Sequence, residues 1–109
     1  MFGSKQEKIE KAVAKKRIPE LIKFTQDKDM AIVKAAIEGL GKIKEDDSFN
    51  ALIPFLSNAD AQLRAATAEA LGQLGNDHAK AFVLHAISIE KDATAKASME
   101  KSVQMLKNY

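Results

Sequence analysis

No cysteine and no tryptophan occur among the 109 residues, and proline appears only twice. Without cysteine there is no disulfide, no thiolate metal ligand and no thiol nucleophile, a composition that fits a reducing compartment. Aromatic residues make up 6% of the chain, and strand formers are scarce, which argues against a sheet. Neither sign of charge dominates. The formal balance of +2 is too small for bulk electrostatics to select a partner. No apolar run reaches membrane-spanning length and no signal peptide is visible, so a cytoplasmic location is expected. Phosphate-binding, dinucleotide-binding, zinc-protease and serine-hydrolase fingerprints are all missing. The chain is long enough for one domain.

What the chain has is alanine-rich helical periodicity. In Asp60–Gly75 the residues Leu63, Ala66, Thr67, Ala70, Leu71 and Leu74 fall on one face of a helical wheel. Asp60 stands where an N-cap belongs, and Gly75 where a left-handed C′ residue belongs. So much alanine makes a favourable but thin helix, one that needs neighbours of the same design to bury its face.

Those neighbours recur at a nearly fixed period, the step from Asp29 to Asp60 and again from Asp60 to Asp92. One period earlier, Asp29, Ile32, Ala35, Ala36, Gly39, Leu40, Gly41 and Ile43 take the same places. One period later, Asp92, Ala95, Lys96, Met99, Ser102, Val103 and Leu106 take them. A second segment repeats alongside, at 18–26, 49–58 and 81–89, aligning Leu21 with Leu52 and Leu84, and Phe24 with Phe55 and Ile87. A period of this size built from two helical segments predicts stacked helical hairpins. Leu40, Leu71 and Val103 are expected at equivalent buried places on successive parallel helices.

The run Asp60-x-x-Leu-Arg-x-Ala-x-x-x-Ala-Leu-Gly, ending at Gly72, resembles HEAT repeats, and most of all the short type of phycobilin-lyase-related proteins. The likeness runs from Ile18 onward and weakens in the third repeat, where Gln104 stands for the glycine and Ser102 for the alanine. It implies an all-α, right-handed α-α superhelix of about three helical hairpins. Outer helices would flank a concave inner wall that binds another macromolecule. The expected division is an amphipathic capping helix over 1–17 and repeats over about 18–47, 48–78 and 79–109.

Several local features carry expectations of their own. Ser4 and Glu7 have capping-box spacing, and Ile9, Ala12 and Val13 form a narrow apolar stripe, so Ser4–Lys16 reads as a cap helix. The competing reading is a lysine face for phosphate or a membrane surface. Pro19 suits the first turn of a helix continuing to Gln26, and Met30–Lys44 follows as the first inner helix. Gly39 within it implies close contact with a neighbouring helix. Pro54 should kink a helix over 49–56, capped by Asp47 or Ser48. Phe82, Val83, Leu84, Ala86 and Ile87 are expected to face the core. The last helix should run from Asp92 towards Lys107, with Asn108 beyond it adding to a polar tilt. His78 and His85, with Asp77, suggest a loop residue and a helix flank more than a metal site. Asp60/Arg64 and Asp92/Lys96 suggest pairs at i,i+4 that ladder adjacent helices.

Residues opposite the apolar face should line the concave wall and contact the partner: Met30, Lys34, Ile37 and Glu38; Ala65, Ala68, Glu69 and Gly72; Ala97, Lys101 and Gln104, with Gly41, Ala61, Ala93 and Glu100 beside them. The expected partner is a protein helix or extended segment, or a second copy of the chain as a homodimer. Nucleic acid is disfavoured by Glu38, Glu69 and Glu100 among the lysines. An accessory role beside a lyase-type enzyme is implied by the resemblance alone. No catalytic residue, metal or cofactor is expected.

Overall fold

The computed structural model describes residues 3–106, and these form seven α-helices and no strand. They are α1 (Lys5–Ala14), α2 (Ile18–Phe24), α3 (Met30–Leu40), α4 (Asp46–Leu52), α5 (Ala61–Leu74), α6 (Ala79–Ile89) and α7 (Ala93–Met105). The body measures 46 × 27 × 17 Å, a slab two helices thick. α3, α5 and α7 lie side by side as the inner layer, with α2, α4 and α6 outside them. α1 packs on α2 and α3 and buries Ile9 and Ala12. The capping box at Ser4 and Glu7 is formed in both directions.

Three turns are built alike. In each, a side chain two positions before an aspartate accepts that aspartate's N–H: Asp27 for Asp29 at 2.8 Å, Asn58 for Asp60 at 2.8 Å, Glu90 for Asp92 at 3.0 Å. Each aspartate then caps the helix that follows, accepting from Ala31, Gln62 and Ala95 at 2.9, 2.7 and 2.8 Å. Backbone donors left open by the helix starts are thereby satisfied by the chain's own repeat motif. Gly75 closes α5 at φ 78, as its place in the repeat predicts.

Helix ends differ from expectation where proline and capping intervene. α4 begins at Asp46, earlier than the expected 49, behind Glu45, and Asp46 and Asp47 occupy its first turn rather than capping it. Pro54 does not kink a continuing α-helix; it lies in a 3-10 turn over Ile53–Ser57, where the tighter winding accommodates the missing N–H. α3 ends at Leu40 and α7 at Met105; Lys107 and Asn108 lie outside the described residues.

The core is continuous between the layers. Leu21, Leu40, Leu52, Leu71, Val83, Met99 and Leu106 are fully buried, each contributing about 1.5–3 kcal/mol of apolar burial. Leu40 and Leu71 occupy the equivalent places expected of them, while Val103 is half-buried against the same core. In α6 the register differs by one residue. Val83, not Leu84, fills the position of Leu21 and Leu52, and Phe82 and Leu84 are 48% and 49% exposed.

Backbone contact sets the spacing of the inner layer. A Cβ on Gly41 would lie 2.8 Å from the Cβ of Ala70 and 2.9 Å from its Cα and carbonyl oxygen. One on Gly72 would lie 3.0 Å from the Ser102 Oγ and 3.2 Å from the Ser102 Cα. Carboxyl-terminal ends therefore meet carboxyl-terminal ends, and α3, α5 and α7 run the same way. Gly39 is also crowded, by Val13, Leu21 and Ile9 from α1 and α2, which accounts for glycine in mid-helix.

Among the described residues two buried hydroxyls have no hydrogen-bond partner, Ser48 and Ser102. Alanine holds the equivalent places one repeat away, Ala79 for Ser48 and Ala70 for Ser102. Ser48→Ala and Ser102→Ala should each stabilise the fold by about 0.5–1 kcal/mol, since an unpaired hydroxyl costs desolvation without return. Gly41→Ala should cost about 2 kcal/mol or more, because the atoms in its way are backbone. Urea unfolding followed by circular dichroism measures all three; an unchanged midpoint for Gly41→Ala would mean that α3 and α5 can separate freely.

Candidate functional site: the concave groove and its turn lock

The inner layer is hollowed along α5. Two adjoining depressions, of about 330 and 410 Å³, lie over α5 between α3 and α7. Their floor is alanine: Ala61, Ala65, Ala66 and Ala70. Their rims are polar. Lys34, Glu38 and Lys42 stand at successive i,i+4 positions on the α3 side, so they stack along one face. Glu69 and Gln73 rise from α5, and Ser98, Lys101 and Met105 from α7. The Ser98 Oγ donates to the Glu69 Oε2 at 3.1 Å, bridging the two helices across the groove. Lys34, Glu38, Lys42 and Lys101 form no side-chain hydrogen bond or ion pair with another described residue, so the rim carries alternating charges that are uncommitted.

Six of the expected wall residues converge here: Lys34, Glu38, Ala61, Ala65, Glu69 and Lys101. Met30, Ala97 and Gln104 are exposed but stand outside both depressions. Ile37, Ala68 and Gly72 are buried, which removes them from any wall a partner could touch. The physical reason is that an inner helix has more than one covered side. Gly41 and Gly72 face the next inner helix, and Ile37 and Ala68 lie one turn before them on that same side. A wheel with a single apolar face treats that side as open. One repeat further along, Glu100 and Gln104 on α7 are polar and exposed. Lys42, Gln73 and Met105 are absent from the expected wall, although they extend the stripe of Glu38, Glu69 and Lys101 by one turn at the repeat spacing.

Outside the two depressions, a part-buried ion pair links neighbouring turns. Arg64 on α5 donates from Nε and Nη2 to both carboxylate oxygens of Glu90, at 2.7 and 2.8 Å. Its Nη1 donates to the carbonyl oxygens of Asn58 and Ala59 at 2.8 and 3.1 Å. The Glu90 side chain is only 3% exposed. Arg64 therefore joins the turn before α5 to the turn before α7. The expected i,i+4 pair with Asp60 is not made, because the Asp60 carboxylate is occupied in capping α5. Nor is Asp92/Lys96 among the ion pairs, Asp92 capping α7 in the same way. Arg64 does face a neighbour, as its wheel position implies, but that neighbour is Glu90.

His78 and His85 are both exposed, and His78 meets the Phe49 ring edge-on at 6.5 Å between centroids. No group of three metal-ligating side chains occurs among the described residues. No helix among them is long and apolar enough to cross a membrane.

Paired helices thus repeat at the Asp29–Asp60–Asp92 spacing, with aspartate caps, a part-buried arginine clasp and glycine-mediated contacts. The model for HEAT repeats matches residues 18–104. The chain belongs to the HEAT-repeat family. No curated protein matches it. HEAT repeats generally serve as non-catalytic scaffolds that mediate protein interactions, and the groove described above lies on the inner layer of this HEAT array.

The clasp makes stability pH-dependent. The hydrogen bonds from Arg64, opposed by burial, hold the Glu90 carboxyl at about 2 instead of the usual 4.5. A carboxyl depressed on folding stabilises the native state above its unfolded value and loses that contribution as pH falls towards its folded value. The loss should fall between about pH 4.5 and about 2. Glu90→Gln should cost about 2 kcal/mol at neutral pH, since it leaves the guanidinium without a counter-charge. It should also flatten the acid dependence. Melting temperatures of both proteins across that range provide the check: parallel curves would show that Glu90 does not carry the acid sensitivity.

Proposed function

We propose that this HEAT chain is a small non-enzymatic adaptor that holds a helix or extended segment of another protein in its concave groove. The observation that carries this reading is the pairing of an alanine floor with rim charges that have no partner among the described residues. Small side chains let a main chain lie close to α5, and both signs of charge along the rim supply register and specificity. Glu38 and Glu69 stand among Lys34, Lys42 and Lys101, which disfavours a phosphate backbone in the same place. A stacked array whose inner helices carry the repeat-equivalent stripe 38, 69 and 101 is suited to a partner that runs across the helices. In this reading α1 caps the apolar end of the array, its Ile9 and Ala12 covering α2 and α3, in a cytoplasmic setting.

Ala65→Glu combined with Lys42→Glu should reduce partner capture from native extract at least about tenfold while helicity and melting stay as they are. Both positions line the groove and neither is fully buried, so a folding defect is not expected. Ile37→Lys would not serve, because it places a charge in the core. Undiminished capture by the double variant would move the binding surface elsewhere.

A further inference from the structure

Away from the groove, α1 and α2 enclose a cleft of about 630 Å³. Lys8 and Lys11 from α1 and Arg17 and Lys23 from the α2 segment border it, and half-buried Phe24 contributes an apolar wall. Lys8 and Lys11 line the cleft, whereas Glu7 is turned back to the Ser4 N–H in the capping box. None of the four bordering cations forms an ion pair with a described carboxylate. Two carboxylates face the cleft, Glu20 and Asp27. Asp27 is already engaged: it accepts from Lys5 at 2.7 Å and from the Asp29 N–H at 2.8 Å, and the Lys5 hydrogen bond holds its pKa below the ordinary value. Glu20 thus faces four cations that have no ion-pair partner among the described residues.

The turn that places Arg17 is strained. Lys16 adopts φ 56, a left-handed conformation that glycine takes at less cost. It is held there by the Arg17 N–H donating to the Ala12 carbonyl at 2.8 Å and the Lys16 N–H donating to the Val13 carbonyl at 3.1 Å. Arg17, which follows this turn, borders the cleft together with Lys8 and Lys11.

We infer that the α1–α2 cleft binds an acidic, aromatic- or aliphatic-anchored peptide segment of a partner protein. Cations border the cleft from both helices, so carboxylates on either side of one apolar residue can be met together while that residue rests on Phe24. A lipid surface fits less well, because the cleft's apolar side chain, Phe24, is half-buried against the core and not projected for insertion. Single-stranded nucleic acid fits less well too, because one half-buried ring gives no platform for successive bases. This cleft is separate from the concave groove and stands without it.

The test is fluorescence anisotropy with a labelled peptide carrying a central phenylalanine flanked by glutamates. Its lysine-flanked counterpart, a single-stranded oligonucleotide and vesicles containing phosphatidylserine are the competing probes. The acidic peptide should bind at low salt and be released at high salt. Lys11→Glu with Arg17→Glu should weaken it at least about tenfold, and Ala65→Glu should leave it unchanged. Should that pair perturb the circular dichroism spectrum, Lys8→Glu with Lys23→Glu reads the same cleft. Absence of binding at low salt, indifference to both charge-reversed pairs, or tighter binding of the oligonucleotide or vesicles through the same residues would overturn the inference.

Discussion

Direct backbone approach between successive inner helices is the constraint on which the rest of this structure depends. Gly41 admits Ala70, and Gly72 admits Ser102. Where two helices touch through such small groups there is little room for adjustment, because the interior is close-packed and backbone cannot change rotamer. The outer helices, the alanine floor and the polar rim all take their positions from that spacing. The apolar contribution of each helix is modest, and the thinness of α5 is tolerable only because it is covered on both sides and from behind.

Spacing alone does not set register; Arg64 and Glu90 do. A guanidinium forked onto a carboxylate and onto two carbonyl groups restricts rotation as well as distance. It also ties two turns that already share one capping design. Local turn chemistry and long-range stacking therefore meet in a single side chain. The Glu90 carboxylate, little exposed, is tolerated because both its oxygens accept hydrogen bonds, from Arg64 and from the Asp92 N–H.

Much of the fold is legible in the residues, because repeat period and caps are local properties. Asp29, Asp60 and Asp92 announce three helix starts, Gly75 an end, and the apolar stripe of α5 its buried face. The groove is legible only in part. Lys34, Glu38, Ala65, Glu69 and Lys101 do border it, whereas Ile37, Ala68 and Gly72 are covered by neighbouring helices. A helical wheel reports how apolar a side is, and alanine or glycine facing a neighbour looks the same as alanine facing water. Phe82 and Leu84 depart from expectation for the converse reason: large apolar residues on a short outer helix are not obliged to reach the core. The partner of Arg64 lies 26 residues away, beyond any argument from spacing within one helix.

Because glycine against alanine fixes the separation of α3 and α5, the width of the channel above α5 is a property of the main chain. Side-chain rearrangement cannot open it, and only bending of the whole array can. For the partner proposed above, thickness is then the first criterion of selection: a slender segment fits the channel, a bulky one does not, and the rim charges act among those that fit.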